Sequence, residues 1–164
     1  MGSDYSTERK CSCHETGDLP FTVHEAAMNG WMKPVKEYLK HGDVNAMYNG
    51  WTLLHTACCH GRDKVVKELV NNPHICVNLH RSTETALMMA SMKGHKDCID
   101  ILMRTQFKCK LDTDAKNSSG NTALDLAFLY KRKDVAFLLM SVKMKDQDSV
   151  PSEEKVNKLA HHEK

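Results

Sequence analysis

The chain has 164 residues, 41% hydrophobic and only 6% aromatic, with 23 basic and 21 acidic side chains for a formal charge of +2. That length suffices for one domain with a continuous core, and the near balance of charge excludes a nucleic-acid or membrane footprint built on basic density. No apolar run approaches the ~20 residues of a membrane helix, no signal peptide opens the chain, and seven cysteines without a disulfide-like framework are expected as reduced thiols inside a cell.

Residues 1–17 are polar and lack periodicity, which predicts a disordered tail. Within it, Met-Gly-x-x-x-Ser fits the N-myristoylation pattern at Gly2 and Ser6, with Cys11 and Cys13 as palmitoyl acceptors. One acyl chain anchors only marginally, so a membrane role would need those cysteines as well. Cys11, Cys13 and His14 are zinc-ligand types, but a second pair at ligand spacing is missing.

From Asp18 onward the chain repeats itself. Phe-Thr-Val-His-Glu-Ala-Ala (21–27), Thr-Leu-Leu-His-Thr-Ala-Cys (52–58), Thr-Ala-Leu-Met-Met-Ala-Ser (85–91) and Thr-Ala-Leu-Asp-Leu-Ala-Phe (122–128) align at spacings of 31, 33 and 37 residues. Each alignment starts a helix, with Thr52, Thr85 and Thr122 placed to cap it and Phe21 in the same slot without a capping oxygen. Gly30, Gly61 and Gly94 then close the helix, and Lys131 stands in the fourth copy. Apolar-striped second helices follow over 35–39, 65–70, 98–103 and 135–140.

Local deviations carry their own expectations. Pro34 is tolerated in a first turn, and Asp63, Asp97 and Asp134 begin second helices, where they answer the helix dipole. Thr83 takes a hairpin-tip position where glycine is usual, which strains or reshapes the turn. Cys58 fills a slot for a small side chain, and Cys-Cys-His (58–60) is no metal site because successive helical residues diverge by ~100°. Phe128 falls in the slot of Ala27, Cys58 and Ser91, so packing there must widen. The stretch from Arg104 to Lys116 is enlarged by about four residues and should be a mobile loop bearing Lys108, Cys109 and Lys110. Thr122-x-x-Asp125 offers a reciprocal cap. Lys131-Arg132-Lys133 reads as a solvated turn or an acidic-partner contact. Residues 144–164 are polar and broken by Pro151; Ser152 to Ala160 would make a frayed helix with too little apolar surface to dock securely.

A period near 33 with a Thr-Pro-Leu-His-x-Ala-like core is the ankyrin signature. Residues 18–143 therefore resemble the ankyrin-repeat family, with repeats over about 18–46, 47–79, 80–112 and 113–143. The resemblance implies an all-α solenoid of stacked helix–turn–helix units with hairpin-like loops, whose first repeat is free to deviate because nothing stacks before it. It also implies that Thr52 and His55 bond each other and nearby backbone, leaving His55 structural.

No nucleophile, base and orienting neighbour converge in the sequence, and no Gly-rich phosphate loop occurs, so neither catalysis nor a cofactor is expected. The resemblance implies instead a protein-binding groove of hairpin tips and first helices. Its residues would be Met28 and Asn29; Tyr48, Asn49, Trp51, Cys59 and His60; Arg81, Ser82, Glu84, Met92 and Lys93; Ser118, Ser119, Asn121, Leu129 and Tyr130. Tyr48, Trp51 and Arg81 are the types that dominate interface energies, although Trp51 could instead lie flat over its hairpin. The expected protein is a monomeric intracellular adaptor for an unidentified protein partner, in cytoplasm or nucleus. The other readings are an acylated, membrane-tethered adaptor and an inhibitor masking a signalling or DNA-binding protein.

Overall fold

The computed structural model describes residues 18–104 and 110–148. Gly2, Cys11, Cys13 and His14 therefore lie outside the described residues, as do Lys108, Cys109 and the segment from 149 onward. Eight helices are described. The first repeat holds α1 (Phe21–Asn29) and α2 (Met32–Leu39), and the second α3 (Leu53–Cys59) and α4 (Asp63–Val70). The third holds α5 (Ala86–Lys93) and α6 (Lys96–Arg104), and the fourth α7 (Ala123–Leu129) and α8 (Lys133–Asp148). The described residues are thus all-α apart from two two-residue hairpins, β1 (Met47–Tyr48) with β2 (Trp51–Thr52) and β3 (His80–Arg81) with β4 (Glu84–Thr85), and a single bridge of Asp18 to Met47.

First helices stack in the row α1, α3, α5, α7 and second helices in the row α2, α4, α6, α8, with one continuous core between the rows. Small residues allow the close approach: Ala27, Ala57, Cys58, Ala90, Ser91 and Ala127 are all fully buried. Burial also pushes the Cys58 thiol well above its usual range, so it packs as a small apolar side chain.

Capping follows the threonines. Thr52, Thr85 and Thr122 each accept the backbone N–H three residues on, and Asp125 returns a bond to the Thr122 N–H at 2.8 Å, completing the reciprocal cap. In the first repeat the cap position falls on Pro20, which offers no side-chain oxygen, and Phe21 is the first helical residue rather than the cap. His55 is buried and fully bonded: Nδ1 accepts from the Thr52 hydroxyl at 2.8 Å and Nε2–H donates to the Leu79 carbonyl at 2.9 Å.

Two ladders tie neighbouring repeats, the first across two junctions and the second across all three. In the first, Asn45 donates to the His74 carbonyl (2.8 Å) and accepts from the Cys76 N–H (2.8 Å). One repeat on, Asn78 does the same with the Lys110 carbonyl and the Asp112 N–H, at 2.8 and 2.9 Å. In the second ladder, the residue after each left-handed turn position (Gly61, Gly94 and Lys131) reaches back over the turn glycine of the preceding repeat. Arg62 Nε–H donates to the Met28 carbonyl (2.8 Å), His95 Nε2–H to that of Cys59 (3.1 Å), and Arg132 Nε–H to that of Met92 (3.0 Å). A Cβ on Gly30, Gly61 or Gly94 would meet the clasping side chain at 3.2, 2.6 or 2.8 Å. Those glycines serve twice, for a left-handed φ of 65 to 83° and for the clasp.

The fourth repeat departs from the expectation at Phe128. Its slot is buried in the other three repeats, yet Phe128 is 58% exposed, because that slot faces the following repeat and no further repeat stands among the described residues. Packing does not widen; the ring projects outward. α8 continues through Asp148, past the repeat boundary read at 143.

Candidate protein-interaction groove

The two hairpins set the groove. In the second repeat Asn49 and Gly50 are both left-handed (φ 50 and 77°), the tight turn that matches the twist of paired strands. In the third, Ser82 in the slot of Asn49 is left-handed (φ 57°) but Thr83 in the slot of Gly50 is not, so the turn is reshaped there. Tyr48 faces Trp51 across the first ladder, and Arg81 faces Glu84 across the next.

The hairpins are bridged by a stack. The Arg81 guanidinium carbon lies 3.9 Å from the centre of the Trp51 ring, a cation–π contact, while its Nη1 is 3.9 Å from Glu84. Arg81 Nε is buried with no hydrogen-bond partner. Trp51 is half-buried, packs against the core and lies under Arg81. Cys59 sits beside this stack, within electrostatic reach of Lys93, Arg81 and Glu84; desolvation raises its thiol despite the two cations.

The remaining candidates extend the strip. Met28 and Met92 are half-buried, and their carbonyls hold the Arg62 and Arg132 clasps. Asn29 turns back to the Glu25 carbonyl at 3.0 Å, and His60 Nδ1–H donates to the Thr56 carbonyl at 2.9 Å. Lys93 and Tyr130 are exposed at the equivalent places one and two repeats on. In the last turn Asn117 caps the backbone of Ser119 and Asn121, and Thr83 reaches Ser118 at 3.3 Å. The second and third repeats thus bring Tyr48, Trp51, Arg81, Glu84 and Cys59 together. Asn121, Leu129 and Tyr130 belong to the far end of the row.

Two groove residues escaped the sequence reading. Phe21 and His24 pack on Tyr48, with ring centres 5.5 and 5.1 Å away. Both ring nitrogens of His24 are buried without partners, and desolvation, then the nearby His60, lowers its pKa. The signal was the placement of a ring at each of 21 and 24, one helical turn apart on the face above the hairpin.

The sequence-family comparison agrees with this geometry: a family described as ankyrin repeats (3 copies) matches residues 8–81 and 71–149. The chain belongs to the ankyrin-repeat family. Ankyrin repeats are general protein–protein interaction modules and are typically non-catalytic. Among the described residues no group of three or more His, Cys, Asp or Glu is placed to hold a metal, and no helix is long and apolar enough to cross a membrane.

Proposed function

We propose that this ankyrin-repeat protein is a non-catalytic, monomeric intracellular adaptor that grips a folded protein partner across its second and third repeats. The observation that carries the reading is the Arg81–Trp51 stack with Tyr48 opposite it on the same hairpin. It joins the three side-chain types most often found as interface anchors, half-buried and already held in place, so little rotamer freedom is lost on binding. Met92 and Cys59 add adaptable apolar surface, and Glu84, Lys93 and His60 a polar rim.

The test is affinity purification with the wild-type chain and a Trp51→Ala/Arg81→Ala variant, then calorimetric titration of the partner lost with the variant. Trp51→Ala should weaken that complex by about 2 kcal/mol. Lys64→Ala, exposed on the second-helix side, should change it by less than about 0.5 kcal/mol. Equal affinities for wild type and Trp51→Ala would move the site off this groove.

A further inference from the structure

The outer face of the last described repeat is apolar, concave and rimmed by cations. Phe128, Phe137 (76% exposed) and Met140 (45%) surround a cavity of about 410 Å³ floored by Ala127 and Ala136. The charged side chains that line it, Lys131, Arg132 and Lys133, are all basic, and the neighbouring Asp134 does not line it. Among the described residues neither Lys131 nor Lys133 is paired with a carboxylate. Solenoids ordinarily end on polar faces, because a bare stacking face invites association.

The earlier repeats show what such a face meets. Ala27, Cys58 and Ser91, in the slot of Phe128, are fully buried where the next first helix stacks. Lys36, Lys67 and Asp100 stand in the slot of Phe137, and Lys36 reaches forward to Glu68 on the next second helix at 3.2 Å. Both slots thus face helices of a following unit. Only the last copy puts phenylalanine in both, which suits a helix held further out on apolar anchors. Another repeat does not fit, because Gly30, Gly61 and Gly94 admit the next clasping side chain whereas Lys131 (φ 56°) sets its own side chain there. A second copy of this face is disfavoured too, since two sets of Lys131, Arg132 and Lys133 would meet with no lining acid to offset them. A concave floor also receives inserted side chains better than the surface of a bilayer does.

We propose that this face is a second docking site, separate from the hairpin groove, for an acidic amphipathic helix of a partner protein. Apolar residues of that helix, spaced i, i+3 or i+4 and i+7, fill the cleft between Phe128, Phe137 and Met140. Its Asp or Glu residues group at the end that lies over the turn from α7 to α8, opposite Lys131 and Lys133. The rings supply the burial, and the charge fixes which way the helix runs. One chain can then hold two proteins at once, one at each surface.

The test uses a displayed library of amphipathic helical peptides, randomised on both faces, selected on the full-length chain and counter-selected on Phe137→Asp. Phe137 is largely exposed, so its replacement spares the repeat stack, which far-ultraviolet circular dichroism verifies. Enriched sequences should carry the apolar spacing with Asp or Glu at one end. An enriched peptide, made synthetically, should bind the wild type about tenfold or more tighter than it binds Phe137→Asp. Lys131→Glu/Lys133→Glu should reverse the preference between that peptide and its Glu-to-Lys counterpart; Arg132 is spared because it clasps Met92. Trp51→Ala should leave the affinity within about twofold, which separates this site from the hairpin groove. Selection that yields no sequence sensitive to Phe137→Asp, or sequences without an acidic end, overturns the proposal. So does co-sedimentation with phosphatidylserine vesicles that Phe137→Asp abolishes, or a dimer by light scattering that the same variant dissolves.

Discussion

Acid should weaken this fold through His55. His55 is 1% exposed, with Nδ1 accepting from the Thr52 hydroxyl and Nε2–H donating to the Leu79 carbonyl, so a second proton would place a charge where water cannot solvate it. Desolvation lowers its pKa from 6.5 to about 4 in the folded state. Between those values the unfolded chain binds the proton and the folded chain does not. The stability that His55 contributes is complete above pH 6.5 and is lost as pH falls toward 4. Linkage over that shift gives a loss of about 2 kcal/mol between pH 7 and pH 5. His24, also lowered, acts in the same direction, so the measurement must be a difference. Urea unfolding of wild type and His55→Gln at pH 7, 6 and 5 isolates it. The variant should be less stable at pH 7 by about 1–3 kcal/mol, from lost buried hydrogen bonds, yet its stability should decline less with acid by about 2 kcal/mol. Parallel curves for the two proteins would show that His55 is not held neutral by burial.

Other perturbations probe other contacts. Lys131→Gly relieves a left-handed lysine and should stabilise by about 0.5–1 kcal/mol in a chemical melt, with strain relief exceeding the added chain entropy; a destabilised variant would refute the strain. Ala57→Leu overfills a fully buried position between helices and should cost about 1–3 kcal/mol, and an unchanged midpoint would place Ala57 outside the contact. Asn45→Ala removes the two Asn45 bonds to the second repeat and should cost about 1–3 kcal/mol; faster amide exchange is expected around Cys76, and unaltered exchange there would count against the ladder.

What could be read from residues alone was the local chemistry. Thr52, Thr85 and Thr122 cap the helices that follow them, and Gly30, Gly61 and Gly94 turn left-handed, because capping and backbone preference act within a few residues. Such signals recurring at spacings near 33 residues were enough for the all-α stack and for the hairpins that carry Tyr48, Trp51 and Arg81. The family then supplied the groove as an idea. The actual stack of Arg81 on Trp51, and the rings of Phe21 and His24 beneath Tyr48, needed the tertiary structure, since each joins elements whose distance no local rule sets. The clasps of Arg62, His95 and Arg132 were hidden for the same reason: a polar side chain after a turn looks solvated until the neighbouring carbonyl is in place. Phe128 shows the limit most clearly. Its slot in the pattern is interior, and only the position of its repeat at the end of the described stack leaves the ring in the open, because burial in a solenoid depends on which neighbour follows and not on the residue itself.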